Sequence, residues 1–451
     1  MQYHIWTIGC QMNVADSQRT AAGLERLGYT PAARAEDADV MILNTCVVRQ
    51  QPEDKAVGRL NQLRYVKERH PERILALMGC MVGANETEAL PARFPWVDIF
   101  LPPSDPTALW ALLAERGHVD EAQTLIVDAE ARRLALSRID TILPPSTQEH
   151  VVSAYLPVVL GCSHACTYCV IPYRRGAERS RPPQVLLAEA RQMVNQGVKE
   201  ITLLGQIVDR YGYDLPEFAG VTETPLVTLL RQIHEIEGLE RLRFLTSHPN
   251  WMKDDLLRAV AELPKVCEHI EAPIQAGDDE VLARMRRGYT VDDYRRLVAR
   301  LRETIPGVSI ATDIIVGFPG ETETQFRHTC DLLAELKLDK AHIARYSARP
   351  LTVATRTMTD DLSRAEKERR RKALDDLQAA VLEELNARYL GRTVEVLVEG
   401  RNARQKRWFG RTRTDRLVFF PAEGRWFGKL AQVTITWTGP WSLVGEVDST
   451  N

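Results

Sequence analysis

The 451-residue sequence predicts an α/β protein with three parts: a parallel-sheet α/β domain, a partial (βα)6 barrel similar to the eight-fold TIM barrel, and a small antiparallel β-barrel. Three observations predict this order. Apolar runs alternate with helical patterns up to about residue 118. Six further strand–helix units follow a proline-rich segment, and the last part of the chain consists of short strands separated by Gly, Pro and Asp.

The first part, residues 1–118, contains four apolar runs that are typical of buried strands. They are "HIWTIG" (4–9), "VMILNT" (40–45), "ILALMG" (74–79) and "WVDIFL" (96–101). Helical patterns separate these runs, so the strands are expected to be parallel, with helices on both faces of the sheet. Residues 119–147 end in "PPST" and are expected to link two domains.

The second part, residues 148–378, supplies the barrel, and the third part covers residues 381–447. The barrel strands are expected in "AYLPVVLG", "EITLLGQIV", "LRFLTS", "HIEAPIQAG", "VSIATDIIVG" and "AHIARYSA". Six units instead of eight predict a barrel that is open on one side and can admit a large substrate. Strands in the third part are expected in "TVEVLVEG", "RLVFFP", "GKLAQVTITWTG" and "SLVGEV".

Composition excludes several classes of protein. The chain is 44% hydrophobic and 26% charged with a net charge of −3, so any nucleic-acid surface must be local. It shows no signal peptide and no run of about 20 apolar residues, which predicts a cytoplasmic protein without a membrane partner. Because cytoplasmic thiols stay reduced, the eight cysteines suggest metal binding or catalysis rather than disulfides.

Three of these cysteines, Cys162, Cys166 and Cys169, follow the first barrel strand in "LGCSHACTYCVIPYRRG". Barrel active sites form at the carboxyl ends of the strands. Three thiolates on a four-iron cluster leave one iron open, and the amine and carboxylate of S-adenosylmethionine could chelate that iron. An electron from the cluster would then cleave the sulfonium and give a 5′-deoxyadenosyl radical. The alternative is a zinc site with a distant fourth ligand such as His164.

A second group of three cysteines, Cys10, Cys46 and Cys80, lies in the first domain, each directly after a predicted parallel strand. Equivalent positions on parallel strands meet at one edge of the sheet, where open α/β sheets bind ligands. We therefore expect a second [4Fe-4S] cluster with one open iron. The alternative is three ordinary buried cysteines. Cys330 is expected in the core, and no role is predicted for Cys267.

Several polar residues are candidate contacts for S-adenosylmethionine. Gln206, Gln275 and Asp313 lie near predicted strand ends, and Gly317 and Glu321 belong to a glycine-containing turn, "VGFPGE". Arg175 and Arg181 could bind a carboxylate or an RNA phosphate, or could be solvated surface residues. His248 is expected to be a turn residue.

The last domain carries local basic charge. Residues 390–447 contain ten Lys or Arg against five acidic residues, with Trp408, Phe409, Trp426 and Phe427 interleaved. Basic residues contact phosphates and aromatic rings stack on unpaired bases, so this pattern favours RNA binding. The alternative is that the aromatic residues fill a small core.

These motifs resemble those of the radical S-adenosylmethionine (radical SAM) methylthiotransferases along nearly the whole chain. The resemblance is carried by "TIGCQMNVADSQ", "NTCVVRQQPEDKAVGRL", "GCMVG", "LGCSHACTYCVIPYRRGAERSRP", "PIQAGDDEVLARMRRGYT" and "TDIIVGFPGETE". It implies insertion of a methylthio group into a C–H bond, with one S-adenosylmethionine as methyl donor and another as radical source. It also implies that the auxiliary cluster carries the sulfur and that the last domain is a TRAM domain.

Within that family, "GCQMN" and "NTCVVR" are most similar to the branch that modifies N6-dimethylallyladenosine at position 37 of tRNA. The implied partners are a tRNA anticodon stem-loop, an external electron donor and a sulfur donor. The alternatives are the threonylcarbamoyladenosine and ribosomal-protein branches, or a zinc-containing RNA-binding protein without catalysis. Asp209, where the family often has Asn, and Glu271, where it often has His, depart from the family pattern.

Overall fold

The computed structural model describes residues 1–84, 89–120 and 143–447. Most of the predicted linker, residues 121–142, lies outside the described residues. The described residues form a parallel-sheet domain, a half-open barrel and a small closed barrel, each with its own hydrophobic core. The predicted fold class is confirmed.

The N-terminal domain is a five-stranded parallel sheet in the order β2-β1-β3-β4-β5. Its strands are β1 (Gln2–Thr7), β2 (Thr30–Pro31), β3 (Val40–Thr45), β4 (Ile74–Gly79) and β5 (Ile99–Leu101). Its helices are α1 (Gln11–Arg26), α2 (Gln50–Arg69), α3 (Ala89–Arg93) and α4 (Thr107–Glu115). Every residue of β3 and β4 is buried because helices cover both faces, which is why these strands are continuous apolar runs.

Strand order in this sheet creates a crevice at its carboxyl edge. The chain runs outward from β1 to β2 and then returns to β3 on the other side of β1. Such a reversal separates the loops that follow β1 and β3, and ligands of open α/β sheets bind at this point. The loops that carry Cys10 and Cys46 therefore lie at the position where such sheets bind ligands.

The barrel strands form two parallel sheets of three, β10-β9-β6 and β11-β12-β13, and a short hairpin follows the first strand. In chain order the strands are β6 (Ser153–Pro157), β7 (Val159–Leu160), β8 (Arg179–Ser180), β9 (Glu200–Leu204), β10 (Arg241–Leu245), β11 (His269–Glu271), β12 (Ser309–Val316) and β13 (Lys340–Arg345). A bridge between Leu242 and Val266 joins the two sheets. All six predicted barrel strands are present, whereas the β7–β8 hairpin was not predicted.

Helices pack around the barrel. They are α5 (Ile171–Arg175), α6 (Pro183–Asn195), α7 (Pro225–His234), α8 (Asp254–Glu262), α9 (Asp279–Arg284), α10 (Val291–Thr304), α11 (Glu323–Leu336), α12 (Val353–Thr357) and α13 (Arg364–Ala387). Local sequence fixes several starts: α10 and α11 each begin with a capping box, formed by Thr290 with Asp293 and by Thr322 with Gln325. Short 3-10 turns cover Ala35–Asp37, Pro145–His150, Val208–Arg210, Pro216–Phe218 and Pro249–Trp251.

The C-terminal domain is a closed five-stranded barrel in the order β14-β15-β16-β18-β17. Its strands are β14 (Thr393–Asn402), β15 (Arg407–Thr412), β16 (Leu417–Phe420), β17 (Leu430–Thr438) and β18 (Leu443–Val447). Four pairings are antiparallel, and β16 pairs with β18 in parallel. The sequence did not predict β15.

The turn between β15 and β16 docks on the amino-terminal ends of the barrel strands. Arg243 donates to the carbonyls of Arg413 at 2.7 Å and Thr412 at 2.8 Å. Arg413 pairs with Glu268 at 2.7 Å, and Arg416 pairs with Asp339. The C-terminal domain thus covers the end of the barrel opposite to the cysteine loop.

Candidate functional site

The three first-domain cysteines lie together at the carboxyl edge of the parallel sheet. Thr45 of β3 and Gly79 of β4 are paired in register, so Cys46 and Cys80 leave neighbouring strands side by side. The Cys80 amide donates to the Thr45 carbonyl at 3.0 Å. A Cβ on Gly9 would lie 2.7 Å from the Cys46 Cβ, so the glycine allows the Cys10 loop to approach Cys46 closely.

Asn13, in the first turn of α1, ties these loops together. Its Nδ2 donates to the carbonyls of Ile8 at 3.0 Å and Thr45 at 2.9 Å, the residues flanking the cysteine positions. Its Oδ1 accepts from Arg175 at 2.8 Å and lies 3.8 Å from the Cys10 Sγ. One buried amide therefore fixes two strand ends and a residue of the barrel.

The second cysteine group occupies the loop between β7 and α5. The Cys162 amide donates to the Gly176 carbonyl at 3.1 Å, and the Cys169 amide donates to the Cys166 carbonyl at 3.2 Å. The Cys162 Sγ accepts from the His164 amide at 3.4 Å. A Cβ on Gly161, whose φ is +73°, would lie 2.2 Å from the Ala177 carbonyl, so this tight loop requires glycine.

Burial raises the pKa of four of these thiols, Cys46, Cys80, Cys162 and Cys169, and so keeps them protonated in the absence of a metal. It raises the pKa of Cys46 to about 12, of Cys162 to about 11 and of Cys169 to about 12. The thiolate is the ligand form, so metal binding at either group must release protons. Charge interactions among Cys162, Cys166 and Cys169 also contribute to these shifts, because the three side chains are close to one another.

Each group offers three thiols, and thiolate is the usual protein ligand of an iron–sulfur cluster. Among the described residues, no three or more His, Cys, Asp or Glu side chains surround a single point as one metal ion requires. A four-iron cluster instead takes each thiolate on a separate iron, so its ligands stand further apart.

Arg287 contacts the loop between β7 and α5 that carries Cys162, Cys166 and Cys169, which we call the radical loop. The sequence analysis did not single out Arg287. It is buried, and its Nη1 lies 3.3 Å from the Cys166 Sγ. Its Nε donates to the Tyr289 hydroxyl at 2.9 Å and its Nη2 donates to the Pro273 carbonyl at 3.1 Å. Its position in "MRRGYT" gave no signal, because arginine in a polar turn is usually solvated.

Three unpaired polar atoms lie beside the same loop. The Ser247 Oγ, the His248 Nε2 and the Trp251 Nε1 are buried and have no hydrogen-bond partner among the described residues. The His248 ring packs edge-on against His164. Trp251 packs against the hydrophobic side-chain cluster that contains Cys162 and Ile207. Because buried polar groups are normally hydrogen-bonded, these atoms are suited to contact a bound ligand. As expected of a turn residue, His248 also caps the turn Pro249–Trp251, where its Nδ1 accepts from the Asn250 amide at 3.3 Å.

Asp313 and Gln275 lie on the same side of the barrel as Arg287. The Gln275 amide donates to the Asp313 carbonyl at 2.9 Å, and Gln275 has a φ of +76°, unusual for a residue with a side chain. The Asp313 carboxyl feels the charges of Arg287 and of Arg49, which comes from the first domain. Gln206 precedes Ile207, whose side chain packs against Cys162.

Gly317 and Glu321 hold the "VGFPGE" turn in shape. The Glu321 carboxylate accepts from the Gly317 amide at 2.7 Å and from Arg370 at 2.7 Å. A Cβ on Gly317 would lie 2.4 Å from the Lys367 side chain. The charge of the Glu321 carboxylate is thus paired with Arg370, and one of its oxygens accepts hydrogen bonds from within the protein.

Two carboxyls of the barrel interior, Glu271 and Asp313, lie close enough for the charge of Asp313 to act on Glu271. Burial raises the pKa of Glu271, and the nearby charge of Asp313 raises it further. Burial also raises the pKa of Asp313, while Arg287 and Arg49 oppose that shift. Burial therefore favours the protonated form of both carboxyls.

Nine of the ten basic residues of the last domain, all except Arg392, divide into two groups. Arg411, Arg413 and Arg416 belong to the docked end and form ion pairs within the protein. The β14–β15 turn lies at the other end of these two strands, and residues 421–429 lead from β16 to β17. We call these two segments with their flanks the basic end; its Lys and Arg residues are Arg401, Arg404, Lys406, Arg407, Arg425 and Lys429.

Trp408 is a core residue, which corrects its assignment to base stacking. It is 7% exposed, packs in the barrel core and donates from Nε1 to the Ala422 carbonyl at 3.2 Å. Trp426 and Phe427 pack partly against the same core, and Phe409 is half-buried against Phe419. The alternative of a small aromatic core therefore applies to Trp408.

The remaining cysteines lie outside both groups. Cys267 is buried near Arg243 and Glu200, and Cys330 is half-buried against the barrel core as expected. Arg181 pairs with the buried Glu189 and is not solvated. In the described part of the chain, no helix is long and apolar enough to cross a bilayer.

Comparison with protein-family models gives three matches. The Radical SAM superfamily matches residues 156–333, the uncharacterized protein family UPF0004 matches residues 2–102, and the TRAM domain matches residues 387–447. The half-open barrel, the cysteine loop at its carboxyl edge and the first of these matches define the class: this is a radical SAM enzyme.

Curated relatives narrow the class. The chain is 47% identical to the tRNA-2-methylthio-N(6)-dimethylallyladenosine synthase of Roseiflexus sp. (strain RS-1), over 98% of this chain and 89% of the relative. It is 45% identical to the synthase of the same name from Herpetosiphon aurantiacus, over 99% and 97% of the two chains. The chain belongs to the family of tRNA-2-methylthio-N(6)-dimethylallyladenosine synthases.

A solved structure shares the fold. The radical SAM methyltransferase TsrM from Kitasatospora setae, with tryptophan and aza-SAM bound, matches with a TM-score of 0.51 at 14% identity. The match covers 76% of this chain and 72% of TsrM. Membership in the radical SAM methylthiotransferases gives the chain its cofactors, [4Fe-4S] clusters and S-adenosylmethionine.

Proposed function

We propose that this enzyme attaches a methylthio group to C2 of N6-dimethylallyladenosine at position 37 of tRNA. One S-adenosylmethionine is the methyl donor and another is the radical source. Its relatives carry the corresponding name, and its TRAM domain is a small barrel with a basic end. The observation that carries the proposal is the presence of two three-cysteine groups, at two facing domain edges, that are joined by one buried arginine.

The cofactor ligands are part of this proposal. Cys162, Cys166 and Cys169 would hold the radical cluster, and Cys10, Cys46 and Cys80 the auxiliary one. The fit is supported by three thiols in each group and by unpaired polar atoms beside the radical loop. When bound, the two clusters and S-adenosylmethionine supply the radical and the sulfur chemistry.

The protein's own residues orient the reactants and exclude water. Arg287 fixes Cys166 against the strand end at Pro273, and Ile207 and Trp251 form an apolar wall beside Cys162. We propose Gln206, Gln275 and Asp313 as contacts for S-adenosylmethionine, with Gly317 and Glu321 shaping the adjoining turn. A dry, rigid site of this kind protects a reactive radical from solvent.

The substrate is proposed to be an anticodon stem-loop, because an unpaired purine can be splayed out of a loop into the open barrel. Phosphate contacts would come from the basic end, where one acidic residue, Glu423, stands among six Lys or Arg. An external electron donor and a sulfur donor complete the reaction. We place the reaction in the cytoplasm and divide the chain into domains 1–118, 148–378 and 381–447.

Nucleoside analysis tests this function. A bacterial strain that lacks its own synthase should regain 2-methylthio-N6-dimethylallyladenosine when it expresses this chain. Cys162→Ala should abolish the product, whereas Cys330→Ala, outside both groups, should retain it. Unchanged tRNA together with a methylthiolated ribosomal protein, or with methylthiolated threonylcarbamoyladenosine, would contradict the proposed substrate.

Metal analysis tests the ligand sets separately. Anaerobically reconstituted protein should bind about eight irons per chain and lose about half in Cys10→Ala. Cys267→Ala is the matched control, because this thiol is buried outside both groups. A colourless zinc protein would contradict both clusters, and full iron content in Cys10→Ala would contradict the auxiliary ligand set.

A further inference from the structure

Arg175, the last residue of α5, crosses from the barrel into the first domain. Its side chain is 3% exposed, and its Nη2 donates to Asn13 Oδ1 at 2.8 Å and to Asp16 Oδ2 at 3.3 Å. Its Nη1 lies 3.4 Å from the Ser104 Oγ. Arg175 thus follows the radical loop in the sequence and contacts residues of the first domain beside the auxiliary cysteines.

The same guanidinium lies against the auxiliary cysteines. The charges of Cys80 and Cys10 act on the Arg175 guanidinium, so both thiols lie near it. Cys46 in turn feels the charge of Arg175. Asn13 connects these contacts, since its Oδ1 accepts from Arg175 while its Nδ2 holds the Thr45 carbonyl beside Cys46.

Charge explains why a buried arginine would be needed here. Three thiolates and a four-iron cluster form an anion, and the nearby Asp16 carboxylate adds another negative charge. Buried anions require compensating cations or donors. The Arg175 Nε is buried without a partner among the described residues, so the guanidinium has a donor in reserve.

We propose that Arg175 is a positioning residue of the auxiliary cluster, whose buried positive charge offsets the thiolates of Cys10, Cys46 and Cys80 and raises the reduction potential of that cluster. Net charge and hydrogen bonds to the sulfurs are main determinants of cluster potentials. A cation favours the reduced, more negative state. The inference rests on the auxiliary ligand set given under "Proposed function".

The test uses full-length protein that carries only the auxiliary cluster, made by replacing Cys162, Cys166 and Cys169 with Ala. The cluster is titrated with dithionite and followed by electron paramagnetic resonance. Arg175→Gln should lower the reduced-to-oxidised ratio at a fixed potential about tenfold, which is about 59 mV for a one-electron couple. Arg175→Lys, which keeps the charge, should shift the midpoint less.

Asp16→Asn provides a second measurement, in which the midpoint potential should shift in the opposite direction. Asp16 accepts from the Ser104 hydroxyl at 2.7 Å as well as from Arg175, and Asn keeps its size. Removing this negative charge leaves more of the Arg175 charge uncompensated, so the midpoint should rise. If Arg175→Gln does not fold, Arg175→Lys decides, because the displaced charge should still shift the midpoint by a smaller amount.

Arg349→Gln is the matched control. Arg349 is also buried and also joins the two domains, through Gln50 at 3.1 Å and through Glu53. A purely structural role in docking would make both arginine variants shift the midpoint alike. The proposal requires the shift in Arg175→Gln and not in Arg349→Gln.

The outcomes separate this inference from the proposed ligand set. If the background protein binds no iron, the auxiliary ligand set and this inference both fail. If it binds about four irons and the midpoint stays the same in Arg175→Gln and Asp16→Asn, only the role of Arg175 is overturned.

Discussion

Arg287 Nη1 lies 3.3 Å from Cys166 Sγ, although 121 residues separate them in the chain. The same side chain also holds Tyr289 through Nε and the Pro273 carbonyl through Nη2. A planar guanidinium can serve three such acceptors at once, which an ammonium group cannot. Arg287 therefore connects the radical loop to the end of a distant barrel strand.

Arg287→Lys is expected to weaken the radical cluster site. The single ammonium group of lysine leaves buried acceptors unpaired, which lowers the free energy of unfolding by about 1–3 kcal/mol. Cys166 should then be held less firmly, so iron content should fall from about eight per chain toward four. Iron analysis after anaerobic reconstitution and the melting temperature of the apoprotein measure the two effects.

Arg286→Lys is the control for this prediction. Arg286 precedes Arg287 and is exposed. It should retain full iron content and an unchanged melting temperature. Full loading and unchanged stability in Arg287→Lys would contradict a positioning role for Arg287.

Asp209→Asn is expected to stabilise the protein in a pH-dependent manner. Burial raises the pKa of Asp209 to about 8, against the hydrogen bonds from the His248 amide, which lies 3.0 Å from Oδ2. The folded protein therefore keeps a proton that the unfolded chain loses above its ordinary pKa near 4. Stability should fall by up to about 1.4 kcal/mol per pH unit between these values.

Asn resembles the protonated carboxyl, so it should remove this loss. The melting temperature of Asp209→Asn should match that of the parent near pH 4 and exceed it increasingly up to pH 8. Asp279→Asn is the control, because Asp279 is an exposed residue of α9. A constant difference between variant and parent at all pH values would contradict the protonated state.

The positions of the six cysteines were predictable from the sequence because parallel strands share a carboxyl edge. Each of Cys10, Cys46 and Cys80 follows an apolar run, and the register Thr45 to Gly79 brings two of them together as expected. The connections between the groups were not predictable. The partners Asn13 and Arg175 are 162 residues apart, and only the docking of two domains brings them together.

The missed strand β15 has a physical reason. In "RWFGRT" the buried residues are Trp408, Gly410 and Thr412, which alternate with half-exposed Arg407, Phe409 and Arg411. This alternation of buried and half-exposed residues is that of a strand. It does not show as an alternation of apolar and polar residues, because two of the buried positions are a glycine and a threonine and two of the half-exposed positions are arginines. The same error assigned Trp408 to RNA instead of to the core.

The basic end of the last domain is expected to bind tRNA phosphates. We expect weaker tRNA binding when Arg401, Arg404, Lys406 and Arg407 are replaced with Gln. The plot of the logarithm of the association constant against the logarithm of the salt concentration should also become less steep. Its slope should decrease in magnitude by about one for each phosphate that is no longer neutralised. Fluorescence anisotropy at several salt concentrations measures both quantities. An unchanged slope would show that phosphates are bound elsewhere on the protein.

Arg413→Gln is the control for the opposite end of this domain. Arg413 pairs with Glu268 and donates to the Val266 carbonyl at 2.7 Å, so its loss should lower thermal stability. The salt slope of tRNA binding should stay that of the parent protein. A reduced slope in this variant would contradict the division into a docked end and a basic end.

His248→Phe is expected to weaken binding of S-adenosylmethionine. Burial lowers the pKa of His248 to about 2, so the ring is neutral, and its Nδ1 accepts from the Asn250 amide at 3.3 Å. The proton must then reside on Nε2, which is buried without a partner among the described residues, beside the radical loop. Phenylalanine keeps the ring contacts with His164 and Tyr289 but removes this donor.

Loss of one hydrogen bond to a ligand should raise the dissociation constant about tenfold, or about 1.4 kcal/mol. Equilibrium dialysis of reconstituted protein under anaerobic conditions measures this change. His328→Phe is the control, because His328 is exposed and contacts Asp278. Equal affinity for S-adenosylmethionine in both variants and the parent would contradict this role of Nε2. The unpaired Nε2 would then serve another ligand, such as the substrate base. A parallel titration with the anticodon stem-loop would detect weaker binding of that ligand in His248→Phe.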